Sequence, residues 1–217
     1  MELKEAVKKR KSIRGYKSDP VPQAVIREIL ETALRAPSAM NTQPWEVTVV
    51  TGDPLEQIRR EYVKKLWEKE DFFSVKYHGV YRERQVELAK QLFNLMGIAR
   101  EDKEKRNQWM ERGFRFFDAP VAIIISKDSS LENSWAVFDI GCLTQNLCLL
   151  AVEYGLGTCI EDQGVAFKEV LREHLELPPS KDPVIGIALG YPDWDFPANE
   201  LESPREEVDA VTTWVGF

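Results

Sequence analysis

Apolar and polar positions alternate along this chain with two periods, and the switches between them set the expected elements. Leu3, Ala6 and Val7 have helical spacing, and Lys8-Lys9-Arg10-Lys11 close that helix with positive charge. Asp19-Pro20-Val21-Pro22 then breaks the chain. A second helix is expected to start near Pro22, with Val25, Ile26, Ile29, Leu30, Ala33 and Leu34 on one face, and Ala36-Pro37-Ser38 ends it. Val47 and Val49 alternate with polar neighbours across 46–51, which predicts a strand. A charged helix is expected from 55 to about 69. Residues 72–115 are helical in character but irregular, and dense in aromatics and charge. The β-branched run at 121–126 predicts a buried strand. A long apolar helix follows at 134–154 and stops at Gly155, a C′ glycine. Short strands are expected at 158–160 and 184–189, and the tail from 192 to 217 has little regular pattern. There is no internal repeat. This order predicts an α+β fold, with helices around a mostly antiparallel or mixed sheet.

Composition narrows the classes. The 217 residues are 43% hydrophobic and 30% charged, ordinary for a globular protein. That length buries one large core or two small ones. No apolar run approaches the roughly 18 residues that cross a bilayer. Met1-Glu2-Leu3-Lys4-Glu5 lacks the apolar segment of a secretory signal, so the expectation is a cytoplasmic protein without a membrane partner. A net charge of −7 argues against nucleic acid, whose phosphates need clustered excess Lys and Arg. Cys142, Cys148 and Cys159 form no CxxC pair, so a reducing compartment fits and a disulfide framework is not expected. His78 and His174 stand far apart with no metal-ligand spacing, and no metal site is expected. His174 lies in a charged helical stretch at 169–177 and reads as a solvated surface group. No GxSxG supports a Ser-His-Asp mechanism.

Two segments carry chemistry. Lys4, Lys8, Lys9, Arg10, Lys11, Arg14 and Lys17 crowd the start of an otherwise acidic chain. Such a cluster suits a phosphate, because Arg grips phosphate oxygens bidentately and Ser12 adds a hydroxyl. The bland alternative is that these cations only complement a helix C-terminus, and charge alone leaves the two about even. The second segment is Arg35-Ala36-Pro37-Ser38-Ala39-Met40-Asn41-Thr42-Gln43-Pro44-Trp45. Its prolines bracket small and amide-bearing residues directly before a strand. The loop can present backbone groups and the Asn41 and Gln43 amides to a planar polar ring. The commoner use of such sequence is a plain helix-to-strand connection, with Asn41 as a turn residue and Trp45 in the core.

Together the two segments resemble the nitroreductase family. Arg10-Lys11-Ser12-Ile13-Arg14 is similar to that family's Arg-Arg-Ser-x-Arg signature, and Pro37 to Trp45 is similar to its Pro-Ser-x-x-Asn-x-Gln-Pro-Trp loop. Further matches are Phe116-Phe117-Asp118-Ala119-Pro120, Gly155-Leu156-Gly157-Thr158-Cys159 and Ile187-Ala188-Leu189-Gly190-Tyr191-Pro192, in order over nearly the whole chain. The resemblance implies a single domain over 1–217 with 72–117 as a helical substrate cap. It also implies an entwined homodimer with FMN at the subunit interface and the C-terminal tail extended onto the partner. Arg10, Lys11 and Ser12 match phosphate and ribityl contacts, and Arg14 matches a cation at the flavin pyrimidine edge, where it favours reduced flavin. Pro37, Ser38, Ala39, Met40 and Asn41, with Gln43 beside them, match residues reaching FMN from the partner. Ile160, Glu161 and Asp162 match the segment on the flavin N5 side, and Arg205 matches a second phosphate-binding arginine. Read without the resemblance, Arg205 is a solvated charge beside Glu206 and Glu207.

The implied activity is electron transfer from NADH or NADPH, through flavin N5, to a small planar oxidised acceptor such as a nitroaromatic, quinone or activated alkene. Orientation and water exclusion suffice for it, so no side chain is named as a catalytic acid or base. Phe72, Phe73, Tyr77, Tyr81, Phe93, Trp109 and Phe114 are candidates for an aromatic lid, against the alternative that each packs the excursion onto the body. Two other functions stay open. One is a flavin-binding redox sensor without steady turnover. The other is a reductive dehalogenase of the same superfamily, for which Glu61-Tyr62-Val63-Lys64 is the relevant trace.

Overall fold

The structure, a computed structural model, describes residues 1–68 and 76–217. Among these residues the chain builds a four-stranded antiparallel sheet of β1 (Glu46–Thr51), β2 (Val121–Asp128), β3 (Gly157–Glu161) and β4 (Lys181–Gly190), in the order β1-β2-β4-β3. The helices are α1 (Leu3–Lys9), α2 (Gln23–Ala33), α3 (Gly52–Glu68), α4 (Gly79–Leu95), α5 (Lys103–Phe114), α6 (Ser134–Glu153), α7 (Lys168–His174) and α8 (Val208–Val211). This is the expected α+β class in its antiparallel form.

Both faces of the sheet are covered, and β2 shows why its sequence is an unbroken apolar run. Val121, Ile123 and Ile125 point to one face and meet Ile26 and Ile29 of α2 and Ile140, Leu143 and Leu147 of α6. Ala122 and Ile124 point to the other and join Leu55, Ile58 and Tyr62 of α3 with Phe167 and Leu171. Strand β4 runs further than its β-branched stretch because Pro183 sits at a register shift. Ile125 pairs with Ile185 but Ser126 pairs with Pro183, so the missing proline N–H falls where the ladder is already irregular.

Helix α6, 20 residues, is long and apolar enough by length and composition to cross a membrane, which corrects the expectation that no apolar run approaches that size. It is a core helix, packed on the sheet through Ile140, Leu143, Leu147 and Ala151. Its end follows the predicted logic. Gly155 takes φ 71°, its N–H donates to Val152 O at 3.1 Å, and Leu156 N–H donates to Ala151 O at 2.9 Å. Within residues 76–115 the stretch expected to be helical but irregular consists of two separate helices, α4 and α5. Phe72 and Phe73 lie outside the described residues.

Just before β2 the backbone does something no periodicity foretells. Phe116, Phe117 and Asp118 all take left-handed conformations, with φ of 54°, 49° and 60°. Such residues cost of order 1 kcal/mol each and persist only where the surroundings hold them. Arg59 of α3, 7% exposed, does this by donating to Arg115 O at 2.8 Å and also to Ala119 O, so its guanidinium brackets the turn. The Phe116 ring then fills the space beside Gly164 and Gly186, and a Cβ on Gly164 would meet its Cε1 at 2.7 Å. Arg59→Ala is expected to lower unfolding stability by about 3 kcal/mol, because it strands two bracketed carbonyls. Urea unfolding checks this, and a loss below about 1 kcal/mol would show that the turn holds itself.

Candidate functional site

The N-terminal basic segment is brought to the sheet by backbone pairing. Ile13 N–H donates to Thr158 O at 2.9 Å, and Ser12 forms a parallel bridge with Thr158. The segment therefore lies along the outer edge of β3. Asn199, 1% exposed, fixes the turn that follows: its Oδ1 accepts from Arg14 N–H at 2.7 Å and Gly15 N–H at 3.2 Å, and its Nδ2 donates to Gly15 O and Asp193 O. This buried amide was missed by sequence reasoning. Pro197 before it marks a turn start, but nothing marks the Asn as a clamp.

Beside this edge lies a cleft of about 1010 Å³. Arg10 and Lys11 line it from one end of the chain, and Ser203 and Arg205 from the other. The Lys11 ammonium stands 5.7 Å from the Trp194 ring centroid. Arg205 bonds its own tail, donating to Ser203 O, Ser203 Oγ and Pro204 O at 2.8–2.9 Å, so its guanidinium is pre-set at the cleft. Glu202 is the acidic member of the lining besides Glu153. An oxyanion entering here meets cations from both ends of the chain.

Further along the edge, Arg14 lies over the Phe117 ring at 5.9 Å, so the left-handed turn positions the ring that carries it. Ile160 and Asp162 are exposed, Asp162 accepts from Gln163 N–H, and Glu161 is 4% exposed. Among the described residues, neither carboxyl oxygen of Glu161 has a hydrogen-bond partner. Burial pushes this carboxyl well above the usual carboxylate range, opposed by the nearby Arg14 charge.

The Pro37–Gln43 loop is strained and supported. Met40, Asn41 and Gln43 have φ of 52°, 58° and 44°. Ser38 Oγ accepts from Gln43 N–H at 3.0 Å, and the buried Asp139 carboxylate of α6 accepts from Ala39 N–H at 3.1 Å. Pro37, Ala39, Met40, Asn41 and Gln43 are exposed, with Met40 at 97%, while Trp45 is buried. Within this chain the loop does not join the cleft. It meets α6 at Asp139, whereas Val152 of α6 lines the cleft, and 13 residues of helix separate these by about 20 Å.

Other candidates move. Phe114 is fully buried and forms no lid, while Tyr77 and Tyr81 are exposed. Phe93 and Trp109 line a second groove. Tyr62 is a core residue, donating to Gly164 O at 3.0 Å, so Glu61-Tyr62-Val63-Lys64 supplies no lid and the dehalogenase trace fails. His174 is half-buried with Nε2 3.1 Å from Glu61, not a solvated surface group.

Glu161 makes a pH prediction. Its neutral form holds stability that is fully present below the unfolded pKa near 4.5 and lost as pH rises through the raised folded value. Wild-type stability therefore falls with pH across that window, and Glu161→Gln, which cannot ionise, lacks the slope. Thermal unfolding from about pH 5 to about pH 9 should show a gap widening in favour of Glu161→Gln. A constant gap would mean the carboxyl is not held neutral.

The sequence pattern of the Nitroreductase family matches residues 7–191. A nitrobenzene nitroreductase of Ectopseudomonas oleovorans is 36% identical over 98% of this chain and 96% of its own. A 4-nitrobenzoate reductase of Pseudomonas putida is 33% identical over 97% of this chain and 94% of its own. The crystal structure of an FMN- and NADPH-dependent nitroreductase from Sphigopyxis sp. strain HMH superposes with a TM-score of 0.94 at 29% identity, covering 100% of both chains. A match over most of the chain, with a sheet edge, basic arm and tail assembled as described, leaves one conclusion: this chain belongs to the nitroreductase family.

Proposed function

We propose that the protein is an FMN-dependent NAD(P)H oxidoreductase that reduces small planar oxidised acceptors, nitroaromatics among them, as a homodimer. The observation that carries this reading is the convergence of Arg10, Lys11 and Arg205, from opposite ends of the sequence, on one cleft beside β3. Residues fit the cofactor in kind. A phosphate dianion suits the cationic cleft, and a polar ring edge suits the strip from Arg14 to Glu161. When bound, FMN supplies two-electron redox chemistry between NADH or NADPH and the acceptor. Arg10, Lys11, Ser12 and Arg205 would hold the phosphate and sugar end. Arg14, carried by Phe117, would place a positive charge at the pyrimidine edge, and the Ile160–Asp162 strip would border the N5 side. Exclusion of water and orientation of the acceptor are left to the cap, which we assign to residues 72–117 of a single domain spanning 1–217.

The dimer reading rests on four features. The two halves of the expected cofactor site sit about 20 Å apart along α6, so Pro37, Ser38, Ala39, Met40, Asn41 and Gln43 would serve the partner's site. Helix α6 exposes Trp135 and Phe138, an apolar patch with no cover among the described residues. The tail exposes Val208, Val211, Trp214, Val215 and Phe217. Strand β1 pairs with β2 on one side, and beside it a groove of about 570 Å³ is lined by Ile26, Leu30, Leu34 and Val49. An apolar tail from a second copy would cover that groove and edge.

Titration with FMN should give saturable flavin absorbance at one FMN per subunit. NADH or NADPH should bleach it, and nitrobenzene should restore it. A protein that gains no flavin spectrum contradicts the reading, and bleaching by neither nicotinamide favours the sensor. Deleting residues 208–217 should convert a sedimenting dimer into monomer at micromolar concentration. A full-length chain that is already monomeric there overturns the dimer.

A further inference from the structure

The groove of about 550 Å³ between α4 and α5 is not part of the cationic cleft. Lys103, Arg106, Asn107 and Met110 reach it at i, i+3, i+4 and i+7, so one stripe of α5 forms its wall. The stripe runs from exposed to buried: Lys103, Arg106 and Asn107 are exposed, Met110 is half-buried and Gly113 is buried. Polarity follows the same axis. Two cations and an amide stand at the mouth, while Trp109, Met110 and Phe117 line the deeper part. No carboxylate lines the groove among the described residues, in a protein of net charge −7.

Both mouth cations are available. Lys103 has no ion pair among the described residues. Arg106 is oriented without being neutralised: it lies 5.7 Å from the Phe93 ring centroid and donates to the Arg100 carbonyl at 3.1 Å. The deep end adjoins the proposed flavin edge. Phe117 carries Arg14, and Gln163 lies two residues beyond Glu161. The Gln163 amide packs against Gly113 there, where a Cβ would meet its Oε1 at 2.0 Å and displace it.

We propose that this groove selects acceptors whose aromatic ring carries an anionic substituent, such as a ring carboxylate. The ring packs on Trp109 and Phe117 while the anion faces Lys103 and Arg106. The inference deepens the reductase reading and rests on it for what happens at the inner end of the ring. Binding at the groove does not need that reading.

The test compares wild type with Lys103→Gln, Arg106→Gln and the double variant, all as FMN-loaded protein. For 4-nitrobenzoate the double variant should lose about tenfold in kcat/KM, through KM and with kcat held, while neutral nitrobenzene is unchanged. Raised salt should erase the wild-type preference in the same way. Calorimetric titration with benzoate, which has no nitro group to reduce, should show the same loss of affinity, and it reads the groove even if the protein turns nothing over. Equal effects on the charged and neutral substrates, or none on either, overturn the proposal. So does a change in the NADPH-to-NADH preference with 4-nitrobenzoate unaffected, which would assign the cations to the nucleotide phosphate. Failure of FMN to bind, with benzoate binding still sensitive to the two cations, would sink the reductase reading and leave the groove standing.

Discussion

The two central strands of the sheet are apolar on both faces, and that constraint decides where polar chemistry can go. Residues 121–125 of β2 and Ile187–Leu189 of β4 offer helices on each side nothing but hydrocarbon. A charged group within those stretches would be buried without water, at a cost of several kcal/mol (on the order of 2–7 even for a neutral polar group), and the charges the two strands do carry, Lys127, Asp128, Lys181 and Asp182, sit at their half-buried ends. Polar function is therefore displaced to the free edge of β3 and to the loops around it. The Ile13–Thr158 hydrogen bond occupies this edge with the most basic segment of the chain. The Asn199 amide then locks the turn that brings the tail, and Arg205 with it, to the same place. Glu161 is the exception that tests the rule, being a carboxyl at the strand's end that is buried and has no hydrogen-bond partner among the described residues.

Helix α6 imposes a second constraint. It is rigid, packed on the sheet and long enough to hold the Pro37–Gln43 loop at one end and border the cationic cleft at the other. Asp139 grips the loop through Ala39 N–H, and the left-handed residues that follow project outward. A chain built this way presents the loop in one direction and the cationic cleft in another. The proposed pairing of two copies brings the two together, and the exposed aromatics of α6 and the tail give such a pairing its apolar surface.

What was legible in the sequence was whatever one period or one local rule could encode. The α2 stripe as far as Ala33, the α6 run with its glycine stop and the β-branched strands follow from spacing, whereas Leu34, expected on the α2 stripe, caps that helix and is exposed. The basic arm was visible as charge. What it would meet was not, since Arg205 lies almost 200 residues away and reads by itself as a solvated charge. The left-handed turn at Phe116–Asp118 was also hidden, because it depends on Arg59 reaching across from another helix. Pro183 concealed the true length of β4, as a proline argues against a strand unless a register shift is known. The burial of Glu161 had no local signal, for a Glu beside an Asp reads as surface. The residues of the groove on α5 were in view as a charged helix, but their shared face mattered only once Phe117 and Gln163 were seen to close its inner end.

The central claim is that each cofactor site is built from two copies, with the cationic cleft from one and the loop from the other. A mixed dimer tests it most directly. One subunit carries Arg10→Ala with Arg205→Ala, and the other carries Asn41→Ala with Gln43→Ala, each with its own affinity tag. Both parent dimers should bind FMN weakly, because every site in them has a damaged half. The purified heterodimer should regain one tight FMN per dimer, since both lesions fall in a single site and the other is intact. A heterodimer that binds no better than its parents would contradict the account.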